Sequence, residues 1–394
     1  MTERRLLLAG SVGPERIPSR PNAENADWFL PLHLRDERAA IDRIAAQVEA
    51  GADVVVAPTW LTHRRALLPL GETRRAAAWS AAAVRVARDG VELGLERREA
   101  SLAAAEADDV RRGRPLPLVA ASLPALDDDP EPGTGRLLPR EAATERDYRD
   151  QAGLLSDAQP DLLLVEGQRT EDGARVAMTE AVDTGLPVWT ALTADAIALS
   201  GTEAWLDWGV GIGAARLLLP PPLEDRLAAR AASLRWGAVL RRPDAVASWL
   251  DAGAGTIASL DGASPRNLAA FRQAVDELER EEVEQAHAAD RRWRELVGQA
   301  ASMAPGGAAA WVGQAPDAPL PAGFAWTVVD QTQLRRLPAD HYRFVVTVDD
   351  PGSDAARLLQ RGGILVGPPQ HSSALRLLII DEQLPPLAIH RRDV

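Results

Sequence analysis

Glu166, Asp261, Asp195 and His63 each stand close behind a short apolar run, where a carboxylate or imidazole could meet a ligand. Oxygen donors of this kind suit magnesium or manganese, and a carboxylate can also pair with an ammonium group. A plainer structural role stands beside each. Asp261 can cap the turn that follows it and His63 can sit at the surface of a helix start, and that is the reading preferred for both. Glu166 is balanced between a salt-bridged structural carboxylate and a ligand contact. The hydroxyl of Thr59 leans towards satisfying nearby backbone. Other chemistry is excluded by residue type. The chain has no cysteine, so it has no thiol nucleophile, disulfide or thiolate-held metal. All 44 basic residues are arginine, which removes a Schiff-base lysine and a P-loop lysine.

These residues need elements to hold them. Eight apolar runs read as strands: Leu6–Ala9, Asp53–Ala57, Leu116–Ala120, Asp161–Val165, Pro187–Ala191, Ala215–Leu219, Leu234–Leu240 and Gly255–Ser259. Segments of helical period lie between them, among them Arg38–Ala50, Arg74–Arg88, Arg140–Ser156, Asp172–Thr184 and Pro243–Ala252. Alternation of continuously apolar strands with helices predicts an α/β fold with a parallel sheet. Eight units predict a closed (β/α)8 TIM barrel over residues 1–275, with an open doubly wound sheet as the alternative. Residues 123–136 read as a Pro/Gly/Asp-rich loop after the third strand, either solvated or a lid. Residues 276–303 read as a charged helical linker, and 304–394 as a small α/β module with five strand-like runs.

The net charge of −13 and the lack of a basic block exclude nucleic acid as an expected partner. No apolar run is long enough to span a membrane, and Arg4–Gly10 is too short for a signal peptide and reads as the first strand. The expected location is the cytoplasm.

Several motifs then fall in one order. They are Leu7-Leu8-Ala9-Gly10-Ser11-Val12-Gly13-Pro14-Glu15, Glu49 to Trp60, Val119 to Pro124, Tyr148-Arg149-Asp150-Gln151, Asp161 to Glu166, Gly185-Leu186-Pro187-Val188-Trp189 and Ala252 to Pro265. Together they resemble the homocysteine S-methyltransferase family over most of residues 5–275. The resemblance implies a substrate site at Gly10, Thr59 and Glu166, with Thr59 and Glu166 holding the carboxylate and amino groups of homocysteine. It also implies three zinc-binding cysteines. In this chain their positions fall on Leu219 (within a residue), Leu260 and Asp261, and an aspartate of the opening motif has become Ala9. The zinc ligands are lost, so zinc is not an expected cofactor and activation of a thiol by zinc is not available.

The segment 304–394 is similar to a shortened class I S-adenosylmethionine (SAM)-dependent methyltransferase. The similar pieces are Gly307–Gly313, Val328-Val329-Asp330, Leu337–Val346 and Arg357–Val366. Its glycine-rich loop is missing, and the preferred reading is a structural or docking module without SAM. Two functions follow as expectations. One is a diverged barrel that binds or acts on a small amino-acid-like or methylated substrate without zinc, as a methyltransferase-family transferase if active. The other is a non-catalytic interaction or assembly subunit, with an oligomer or protein partner.

Overall fold

A computed structural model describes residues 5–10, 32–68, 70–104, 114–126, 143–168, 170–198, 201–221, 235–260, 264–303, 306–312, 320–329, 333, 336–339, 341–347, 357–367, 375–381 and 387–392. The chain divides into two compact units, Met1–Leu278 and Glu279–Val394.

In the first unit eight parallel strands close into a barrel in sequence order: β1 Leu6–Ala9, β2 Val54–Ala57, β3 Leu118–Leu123, β4 Leu162–Val165, β5 Val188–Ala191, β6 Arg216–Leu219, β7 Trp236–Val239 and β8 Thr256–Ser259. Closure is made by β1 on β8, with Leu6 opposite Thr256 and Ala9 opposite Ser259. Helices follow in the order α1 Leu32–Arg35, α2 Glu37–Glu49, α3 Arg64–Leu67, α4 Ala76–Ala104, α5 Glu145–Asp157, α6 Glu171–Val182, α7 Ala194–Ile197, α8 Gly201–Ile212, α9 Val246–Asp251 and α10 Pro265–Met303. The strands are apolar on both faces because both are covered. Leu8, Val54, Val56, Ala120, Leu164, Trp189, Leu218 and Ala258 fill the barrel. Their sequence neighbours, such as Leu7, Val55, Ala121, Val165, Leu217 and Leu219, pack outwards on the helices.

The predicted barrel is present, but several boundaries move. β3 runs from Leu118 to Leu123, two to three residues further on than expected, and Leu116 is exposed. α4 continues 16 residues past Arg88 to Ala104. α10 starts at Pro265 and runs to Met303, and the helical stretch expected over 276–303 is its later part. Its early residues Leu268, Phe271 and Val275 belong to the barrel core, and its middle is charged and exposed.

A buried charged cluster ties α10 to the first strands. Asp53, just before β2, accepts from the Leu7 amide at 2.9 Å and from Arg272 Nη1 at 2.8 Å. Arg272 Nε also meets Asp276 at 3.1 Å, and Arg114 pairs with the same carboxylate. A guanidinium packed this deep leaves no room beside it. A Cβ on Gly51, whose φ is +102°, would lie 2.6 Å from Arg272 Cγ.

In the second unit a six-stranded sheet has the order β10-β9-β11-β12-β14-β13, from β9 Gly307–Val312, β10 Phe324–Val329, β11 Tyr342–Thr347, β12 Leu359–Gly367, β13 Leu375–Asp381 and β14 Leu387–Arg392. The first four in this order run parallel and the last two pair antiparallel. β14 is a sixth strand that the sequence reading did not include. Gly313 and Asp330 lie outside the described residues, as does most of the loop 123–136. No helix among the described residues is long and apolar enough to cross a membrane.

Candidate functional site

In a parallel barrel the strand C-termini gather at one mouth, and the side chains there come from several strands at once. Glu166 directly follows β4 and is 5% exposed. Its backbone amide still follows the β3 ladder, donating to Leu123 O at 3.2 Å. The chain then turns at Gly167, whose φ of +73° favours glycine. The indole of Trp60 lies 3.6 Å from where a Cβ on Gly167 would be.

On the neighbouring strand Ser122 shares the inward register of Ala120, and its hydroxyl donates to Glu166 Oε1 at 2.5 Å. Thr59, two residues past β2, is fully buried. Its hydroxyl donates to Ser122 O at 3.0 Å and accepts from Ser122 N at 2.9 Å. The one proton and a lone pair of that hydroxyl are therefore committed to backbone. Gly10, past β1, donates its amide to Ser259 O at 2.8 Å and accepts from Gln47 Nε2 at 3.0 Å. A Cβ on Gly10 would sit 2.3 Å from Leu260 O, so only glycine fits against the β8 turn.

A second layer of polar contacts ties the loops after β3, β4 and β5. Tyr148 of α5 accepts from the Leu126 amide at 3.3 Å and donates to Gln168 Oε1 at 3.0 Å, while Thr193 Oγ1 donates to Gln168 O at 2.7 Å. These contacts fix the loop that follows Glu166.

The structure thus brings Thr59 and Glu166 together through Ser122, and places Gly10 against Leu260. The other candidates separate. His63 starts α3 as expected, but it is buried and not at the surface. Its Nδ1 accepts from Ala66 N at 3.2 Å, and burial, with the charge of Arg65 adding to it, pulls its pKa down to about 3. Asp195 lies exposed in the first turn of α7. Leu219 packs in the strand–helix core, whereas Leu218 faces the barrel interior and Leu260 borders it. Asp261 lies outside the described residues.

The donor set does not fit the zinc that the resemblance implies. The chain has no cysteine, Leu219 packs on the helices and not into the barrel, and Leu260 at its border offers hydrocarbon and no thiolate. Among the described residues no group of three or more His, Asp or Glu side chains could hold a metal ion. The mouth holds a buried carboxylate that accepts from the Ser122 hydroxyl, and a carboxylate can accept hydrogen bonds from a cationic group. Sequence reasoning passed over Ser122, although its alternation with Ala120 was a signal for an inward position.

The family model described as homocysteine S-methyltransferase matches residues 18–207. No curated protein matches the chain. Among solved structures, the metallated form of the homocysteine methyltransferase MmuM from Escherichia coli is similar at 17% identity and a TM-score of 0.49. That match covers 69% of this chain and 96% of that one. N-acetylneuraminate lyase from Mycoplasma synoviae is similar at 11% identity and a TM-score of 0.40, covering 74% and 81%.

Proposed function

We propose, from the premise that residues 18–207 belong to the homocysteine S-methyltransferase family, that the barrel mouth binds a small amino-acid-like or methylated molecule through Glu166 and does so without zinc. The observation that carries this reading is the burial of Glu166 at the end of β4, with Ser122 donating to one of its oxygens. A carboxylate shielded from water attracts an ammonium or sulfonium group more strongly than an exposed one does. Thr59 supports the site from behind. With its hydroxyl spent on Ser122, it is not the donor that holds the ligand's carboxylate.

Thiol methylation aided by zinc has no thiolate ligands in this chain. An unactivated thiol at neutral pH is largely protonated and a poor nucleophile. A second reading, a relative that serves as an interaction or assembly subunit, draws its support from that loss and from Ala9.

Calorimetry with homocysteine, methionine and S-methylmethionine separates the two. Binding is expected for at least one of them, weakened roughly tenfold or more by Glu166→Gln, which removes the charge and keeps the shape. No heat from any of the three, or equal affinity in the variant, would leave the assembly reading standing alone. Turnover of homocysteine to methionine by metal-free protein would refute the loss of thiol chemistry.

A further inference from the structure

We infer that Thr59 and Ser122 form a positioning relay across three strands, in which Thr59 orients Glu166 only by way of Ser122. The register explains why the relay exists. Ala57, the last residue of β2, pairs with Ala121 of β3, so the ladder has no further β2 backbone partner for Ser122. A strand end that is buried must satisfy its peptide groups in another way. The Thr59 hydroxyl does this from both sides, accepting from Ser122 N at 2.9 Å and donating to Ser122 O at 3.0 Å. The two peptide groups that flank the Ser122 Cα are thereby both held by one hydroxyl.

On the other side Ser122 pairs with Leu164, which puts Glu166 two residues further along β4 on the same inward face. That is the diagonal position on a sheet, within reach of a hydroxyl whose backbone is fixed. The 2.5 Å contact from Ser122 Oγ to Glu166 Oε1 follows from it. Thr59 and Ser122 are fully buried, so solvent does not substitute for either hydroxyl.

The relay makes Ser122 and Thr59 positioning residues for whatever Glu166 binds. Its affinity arm rests on the ligand reading given above; its structural arm does not. Crystal structures of Thr59→Val, Thr59→Ser and Ser122→Ala form the structural arm. Thr59→Val keeps the shape of the side chain and removes both backbone hydrogen bonds. The Glu166 carboxylate is expected to leave its position in Thr59→Val and in Ser122→Ala, and to keep it in Thr59→Ser. Should Thr59→Val fail to fold, Ser122→Ala decides alone, because it leaves the Thr59 clamp intact. An unmoved Glu166 in Ser122→Ala, or in a folded Thr59→Val, overturns the inference.

The affinity arm is a double-variant cycle read by calorimetry with methionine and S-methylmethionine. Each single variant is expected to weaken binding by roughly tenfold or more, as for loss of a hydrogen bond to a charged group. The double variant should be no weaker than the worse single, since both act through one contact. Additive losses, or unchanged affinity in Ser122→Ala, would refute the relay. If the wild-type protein binds neither probe, the ligand reading fails and the Glu166 positions still decide the relay.

Discussion

His33 and His63 are both buried and both held neutral, and their burial sets how the barrel responds to acid. His33 donates from Nε2 to Trp79 O at 3.1 Å, yet burial outweighs that bond and brings its pKa down to about 4. His63 is brought down to about 3 by burial first and by Arg65 second. In the unfolded chain both return to about 6.5. Below that pH the unfolded state takes up protons that the folded state refuses. The stabilisation is therefore whole above pH 6.5 and is lost as pH falls towards 4 for His33 and 3 for His63. Each pH unit within that window removes up to about 1.4 kcal/mol per histidine. Thermal unfolding followed from pH 7 to pH 5 should show a falling midpoint. His63→Asn retains a capping acceptor for Ala66 N and removes one titration, so its midpoint should fall less steeply. Parallel slopes for the two proteins would refute a neutral buried His63.

Between elements, α2 packs tightly on α4, and two glycines permit it. A Cβ on Gly90 would lie 2.7 Å from Ile44 Cβ, and one on Gly94 would lie 2.6 Å from Val48 Cβ and 2.7 Å from Ala45 O. In a solvated helix, replacing glycine with alanine gains up to about 1 kcal/mol. Here the added methyl must displace backbone of α2, and overpacking of this kind costs about 1–3 kcal/mol. Gly94→Ala should therefore lower stability to denaturant. Gly298→Ala, in α10 with nothing within 4 Å, should raise it. Stabilisation by both would show that the helices are not packed this closely. The same glycines explain a limit of the sequence reading, which ended this helix at Arg88. Asp89-Gly90 resembles a helix stop, and only the facing helix shows that Gly90 serves contact instead. β3 was misplaced for a related reason. Leu116 and Leu118 look like strand residues, but Leu116 is exposed, and Ser122 and Leu123 complete the strand. Serine carries little strand preference, so the strand expected over Leu116–Ala120 stopped short of Ser122, which did not enter the candidate site. The eight apolar runs themselves were legible, because strands covered on both faces leave an unbroken apolar signal. So was Glu166, placed at a strand end by that same signal.

At the scale of the whole molecule, the barrel is closed by strand pairing and by its own side chains. Arg272 of α10, paired with Asp53 and Asp276, joins the last helix to the first two strands, and Leu268, Phe271 and Val275 seal the same helix to the core. Breaking one partner of such a buried pair costs about 3–5 kcal/mol, so closure has a firm anchor within the polypeptide. The family's zinc would add a ligand-linked stabilisation to any member that binds it. The resemblance puts the cysteine positions at Leu219 (within a residue), Leu260 and Asp261, and the chain has no cysteine to supply a thiolate anywhere. Protein purified without a histidine tag should accordingly contain no stoichiometric zinc by elemental analysis, and its melting temperature should be unchanged by a strong zinc chelator. Both measurements follow from one cause, because a metal that is not bound can neither be counted nor removed. Stoichiometric zinc that disappears in Asp261→Ala, with a chelator-sensitive melting temperature, would show that this barrel holds the ion with oxygen and nitrogen donors. The loss of thiolates would then mark a change of metal chemistry at the mouth, and Glu166 would have to be tested as one of its ligands.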